Sequence, residues 1–133
     1  MKKRIYPAIF HPETVSGYSV SFPDLIGCNT EGDTLQEALA MSEDALGIYL
    51  YSLQQDNEIA PEATSPEKLK LEAGEFISLV VWDELAYLER TDNKAVNKTV
   101  TMPSWMNKKA EALKINFSQT LQEALLQKLN IEK

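Results

Sequence analysis

The chain has 133 residues and a mass of 15.0 kDa, room for one ordinary domain or a compact domain with a small appended module, and too little for two full enzymatic domains. Hydrophobic residues make up 44% and charged residues 25%, which excludes wholesale disorder, and no apolar stretch approaches the roughly 20 residues of a membrane span. A single cysteine, Cys28, excludes an intramolecular disulfide, and a single histidine, His11, leaves the usual zinc constellations out of reach of one chain. No metal and no cofactor are expected. Because Lys2-Lys3-Arg4 is not followed by an apolar signal region, the chain reads as soluble and cytoplasmic. The net charge of -7 is divided unevenly: residues 1–93 hold 6 basic and 17 acidic side chains, whereas residues 94–133 hold 7 basic and 3 acidic. Charge segregated in this way points to segments with different partners.

Arg4 to Phe10 is apolar on both alternating faces, which suits a strand covered on both sides or lying early in a sheet, with Pro7 at an edge position. The turn formers from His11 to Gly17 lead into Tyr18-Ser19-Val20-Ser21-Phe22, whose period of two predicts a half-buried strand and a hairpin with the first. Pro23 to Gly27 breaks that strand, and Cys28 to Gly32 supplies a short third one. Asp33 with Gln36 is read as a capped helix start, and Leu35, Ala38, Leu39, Ala45, Leu46, Tyr49, Leu50 and Leu53 form a stripe that carries the helix to about Gln55. Residues 56–70, with Pro61 and Pro66, read as a loop, and Glu75 to Trp82 returns to strand character. The predicted order is β, β, β, α, β. A short helix over Asp83 to Arg90 and a polar hinge at Thr91 to Lys94 close this module, an α+β unit over residues 1–90.

The remaining segment, residues 94–133, predicts a strand Val96 to Met102, a helix Ser104 to Leu113, a turn at Lys114-Ile115-Asn116 and a helix Phe117 to about Leu129. A lone strand leaves backbone polar groups without partners. It needs either the sheet of the first module or the same strand of a second chain, which gives a two-stranded antiparallel ribbon about a two-fold axis. The helices favour the second, since their few apolar residues cannot make a private core for about 40 residues. Val96, Val100 and Met102 then share one face and Asn97, Thr99 and Thr101 the other, three small hydrogen-bonding side chains that suit base edges in a major groove. Pro103 stops the strand, and Asn116-Phe117-Ser118 opens the last helix, whose free N–H groups can hold a phosphate. The pattern resembles the ribbon-helix-helix repressors and implies a DNA-binding homodimer that contacts operator DNA. Lys98 departs from that pattern. It falls on the inward face, so its stem is expected to pack while its ammonium reaches out.

In the first module, Gly17 to Cys28 (GYSVSFPDLIGC) followed by Gly32 to Ala38 (GDTLQEA) is similar to the N-terminal signature of HicB-family antitoxins. Ile26 is a departure, standing where a proline is common before the glycine. The resemblance implies a partial ribonuclease H-like fold, a toxin-binding role for residues 1–90, and a HicA-type partner, a small mRNA-cleaving ribonuclease that uses a histidine. It implies repression of the protein's own operon by the ribbon-helix-helix tail, and leaves open whether dimers pair further through their first modules.

Two other functions compete. A metal-dependent nuclease with a ribonuclease H-like site needs converging carboxylates, for which Asp24, Asp33, Glu37 and Asp44 are the candidates. Three of the four have a plainer explanation: Asp33 as a cap, Glu37 in a first helical turn, Asp24 in a turn after a proline. No catalytic residue is therefore assigned. His11 reads as exposed in a hairpin loop, and Cys28 as a small buried hydrophobe. The other competitor is a stand-alone repressor whose first module senses a small molecule.

Overall fold

The computed structural model describes residues 3–131, which divide into two units, residues 3–92 and 93–131. The fold is mixed α+β: a four-stranded antiparallel sheet and four helices. None of the described helices is long and apolar enough to cross a membrane.

The first unit runs β1 (Lys3–Pro12), β2 (Tyr18–Ser21), β3 (Asn29–Gly32), α1 (Leu35–Gln55), a single 3-10 turn (Pro66–Lys68), β4 (Phe76–Asp83) and α2 (Glu84–Thr91). Its sheet has the order β3-β2-β1-β4. The β1–β2 hairpin is closed by the Glu13 N–H donating to the Gly17 carbonyl at 2.9 Å, and Gly17 takes φ +85°, a conformation in which a Cβ is strained. Pro7 lies opposite Leu79 of β4, while β2 pairs with β1 only from Ile9 onward. So Pro7 sits where β1 has a neighbour on one side only, a local edge where a missing amide is tolerated.

One face of the sheet carries the core. Tyr6, Ala8 and Phe10 of β1, Val20 of β2, and Val80 and Trp82 of β4 are buried against Ala38, Leu46 and Leu50 of α1, each large aliphatic contributing about 1.5–3 kcal/mol. Phe10, Tyr18 and Phe76 join edge to face and stacked, with ring centroids 5.2–6.4 Å apart.

The helix start differs from expectation. Thr34, not Asp33, is the N-cap of α1, and its Oγ1 accepts from the Glu37 N–H at 3.0 Å. Both candidates satisfy the cap chemistry, and the backbone geometry after β3 selects the second. The buried stripe is also rotated: Ser42 and Gly47 are buried, whereas Leu35 and Leu39 are exposed. Ser42 is satisfied by donating to the Leu39 carbonyl at 2.6 Å, and Gly47 admits the ring of Tyr87, whose Cδ1 would lie 2.8 Å from an added Cβ. At the other end of the sheet, Asp83 leaves β4 and caps α2, accepting from the Ala86 N–H at 3.3 Å.

The second unit holds α3 (Ser104–Ala112) and α4 (Phe117–Lys128). Asn116 caps α4 as expected, its Oδ1 accepting from the Gln119 N–H at 3.0 Å. Residues 93–103 take no regular secondary structure in the single chain, so the predicted strand Val96 to Met102 is not formed there. All four strands of the sheet come from the first unit, and 96–102 is not among them. Neither α3 nor α4 has a buried residue, and Trp105, Leu113 and Leu129 are each more than 60% exposed. The apolar residues of this unit form no core within the single chain.

Candidate functional site

The residues expected to meet nucleic acid lie in the second unit as two groups. Asn97, Lys98, Thr99 and Thr101 are exposed along the extended segment and make no side-chain hydrogen bond or ion pair among the described residues. Asn116, Phe117 and Ser118 are exposed at the start of α4. The Asn116 side chain occupies the Gln119 N–H and its carbonyl the Thr120 N–H at 3.0 Å, which leaves the amides of Phe117 and Ser118 as the open donors at the positive end of the helix. Such a pair of donors accommodates an anionic oxygen. No hydrogen bond links the two groups within one chain among the described residues.

The carboxylates weighed for a nuclease do not converge. Asp24 is engaged by Thr64, which donates to it from its backbone N–H at 3.0 Å and from its hydroxyl. Asp44 faces Arg90 at 3.3 Å, and Glu37 sits in the first turn of α1. Among the described residues the one group of three His, Cys or acidic side chains close enough to share an ion is His11, Glu72 and Glu75, whose donor atoms lie within 4.8 Å of one another. His11 is therefore not a loop residue: it belongs to β1, and its Nδ1 is 3.2 Å from Glu75 Oε2. Glu75 Oε1 accepts from the Glu72 N–H at 2.8 Å, so each oxygen of the Glu75 carboxylate has a partner within the protein. No sequence signal pairs these residues, which lie 64 positions apart.

Cys28 is buried, and its Sγ lies 3.6 Å from the Ala45 carbonyl. Loss of solvent pushes its thiol up to about 11. It is a packing residue and not a nucleophile.

The feature that sequence reasoning missed is the second face of the sheet. Ile5, Pro7 and Ile9 of β1 stand opposite Val81, Leu79 and Ile77 of β4 on the side away from α1. Two settings are expected for β1, covered on both sides or lying early in a sheet with Pro7 at an edge, and its second face combines elements of both: Pro7 is buried, Ile9 half-buried and Ile5 exposed.

The family model for HicB_like antitoxin of bacterial toxin-antitoxin system matches residues 6–129, and the chain belongs to this family. It is a family of antitoxins and not of enzymes. A 14.9 kDa protein from the rep-hol intergenic region of Haemophilus phage HP1 is 33% identical over 90 residues, covering 66% of this chain and 65% of that one. Antitoxin HicB 1 of Photorhabdus laumondii is 43% identical over 61 residues, 46% of this chain and 39% of its own. The chain thus spans less than two thirds of the length of these curated relatives. Among solved structures, a toxin-antitoxin complex from Streptococcus pneumoniae contains a chain that superposes with a TM-score of 0.61 at 29% identity, covering 96% of this chain and 99% of that one. The antitoxin HicB of Burkholderia pseudomallei shares the fold, with a TM-score of 0.56 at 24% identity, covering 95% of this chain and 98% of that one.

Proposed function

We propose that this chain is an antitoxin with two separate binding surfaces. Residues 1–90, a partial ribonuclease H-like module, bind and neutralise a HicA-type mRNA-cleaving toxin. Residues 94–133 form a ribbon-helix-helix module that dimerises and represses the operon by binding operator DNA. The observation that carries the second half is a unit whose two helices bury nothing, preceded by an extended segment with no ladder partner. Pairing that segment with its counterpart in a second chain supplies the missing hydrogen bonds and covers Trp105, Phe117, Leu121 and Leu125 in one step. The two-fold ribbon then presents Asn97, Thr99 and Thr101 outward, with Lys98 at its end and the α4 amides at the flanking phosphates.

The first half is supported by the family and by the likeness to a chain of a toxin-antitoxin complex. Charge agrees with it: the acidic first module complements the basic surface that an RNA-cleaving protein needs, and such complementarity speeds capture. Such a protein works in the cytoplasm, where its mRNA-cleaving partner acts. The nuclease alternative loses its site once Asp24 is tied to Thr64. The test is to co-produce the full chain with a HicA-type toxin and measure complex formation and RNA cleavage. Neutralisation with a stable complex is expected. A toxin that remains free and active, with the chain still bound to operator DNA, would favour the stand-alone repressor.

A further inference from the structure

We propose, resting on the antitoxin reading above, that the toxin is held on the open face of the sheet, with the apolar strip of β1 and β4 at the centre of the contact and carboxylates at its rim. An antiparallel sheet with one solvated face alternates apolar and polar residues along each strand. On the open face β2 and β3 obey this rule, presenting Ser19, Ser21, Asn29 and Glu31 opposite the buried positions. Strands β1 and β4 break it. Their outward positions pair in register as Ile5 with Val81 and Ile9 with Ile77, and between them Leu79 stands exposed opposite the buried Pro7. Ile5, Leu79 and Val81 remain 51–54% exposed. The strip runs to the outer edge of β4, beyond which no strand pairs among the described residues.

The surroundings of the strip indicate its occupant. Asp83, 3.9 Å from Lys3, stands at one end, and Glu75 and Glu72 at the other. Glu31 lies to the side on β3. A groove of about 410 Å³ lies on this face, lined by Ile9, His11, Ser19, Ser21 and Asn29 and by Glu72 and Glu75. An apolar centre within a polar rim is the anatomy of a protein interface, and here the rim is dominated by acidic groups. A protein that acts on RNA brings the opposite charge, with lysines or arginines able to reach Glu31, Glu72 and Glu75 around an apolar contact. A second copy laid face to face brings the same carboxylates against themselves, within segments (residues 1–93) that hold 17 acidic and only 6 basic side chains each. Like-charge juxtaposition disfavours that occupant.

The test uses the full chain and a HicA-type toxin silenced at its catalytic histidine, with binding followed by calorimetry. Leu79→Arg and Val81→Arg place a cation at the centre of the strip. Ile48→Arg makes the same change on the exposed surface of α1, where Ile48 is 63% exposed. The strip variants are expected to weaken toxin binding on the order of 100-fold, and the control to stay within about twofold. Operator binding and sedimentation should be unchanged in all three. Val81→Thr, which suits a strand, decides the matter if the arginine variants unfold, and is expected to weaken binding several-fold. Wild-type binding matched by undiminished binding of the strip variants overturns the docking face and leaves the antitoxin reading intact. Retained toxin binding with a reduced assembly mass assigns the face to a second copy and overturns it equally. A wild-type chain that does not bind the toxin refutes the antitoxin reading itself, and the docking face with it.

Discussion

Asp24 and Thr64 fasten the turn after β2 to the irregular segment before the 3-10 turn, across 40 residues of sequence. The Asp24 carboxylate takes both the backbone N–H and the hydroxyl of Thr64, so the aspartate with the best claim to a catalytic role is occupied as a structural acceptor. Replacing Asp24 by alanine is expected to cost about 1–3 kcal/mol, since charged hydrogen bonds are lost and the Thr64 amide is left without a partner. Thr64→Val removes one of the two bonds and should cost less. Neither the wild type nor Asp24→Asn should cleave RNA with magnesium or manganese present. Metal-dependent cleavage that Asp24→Asn abolishes would restore the nuclease.

Gly32 closes β3 directly against the start of α1. A Cβ there would lie 2.3 Å from the Ala38 amide nitrogen and 2.6 Å from its Cα, backbone atoms that cannot swing aside. Gly32→Ala is therefore expected to destabilise the first unit by about 3 kcal/mol. Chemical denaturation followed by Trp82 fluorescence measures it.

Cys28 gives the fold an alkaline limit. Its folded thiol titrates near 11 against an ordinary 9.0, so folding holds the proton longer than the unfolded chain does. Its contribution is fully present below pH 9 and is lost as pH rises through 11. Stability should fall across that window in the wild type, and Cys28→Ala should remove this part of the slope. At neutral pH the folded thiol should resist alkylating reagents, with labelling appearing only on denaturation.

The second unit is expected to make the protein at least a dimer at micromolar concentration, as read by sedimentation. Leu121→Asp places a charge among the apolar residues of α4 and should shift the protein towards monomer without lowering the melting transition of the first unit. A wild-type monomer would remove the ribbon.

Binding to DNA should separate two kinds of side chain. Asn97→Ala or Thr99→Ala is expected to cost about 1–3 kcal/mol per specific contact and to relax preference among operator sequences. Lys98→Ala, and Lys108→Ala or Lys114→Ala where they meet phosphate, should weaken binding to every duplex alike. Each should also reduce the slope of log affinity against log salt by about 1. Unchanged operator binding when Asn97, Thr99 and Thr101 are all alanine would leave the tail a dimerisation device alone.

Features that depend on near neighbours along the chain are legible in the order of residues alone. The order of strands and helices in the first unit follows from the periods of Tyr18 to Phe22, the α1 segment and Phe76 to Trp82, and the start of α4 from the Asn116 cap. The shortage of core in the second unit was equally legible, because a count of its apolar residues needs no coordinates. The remaining features depend on long-range packing. Thr34 and Asp33 are both competent caps, and only the path from β3 into α1 chooses between them. Packing against the sheet rotated the buried face of α1 onto Ser42 and Gly47, the latter because the Tyr87 ring fills the space a side chain would take. The pairings of Asp24 with Thr64 and of His11 with Glu75 span 40 and 64 residues, and which side of β1 stays open depends on where the lone long helix lies. Periodicity and capping are local energies that a linear chain displays; the choice of partner across a fold is set by which surfaces the whole chain brings together.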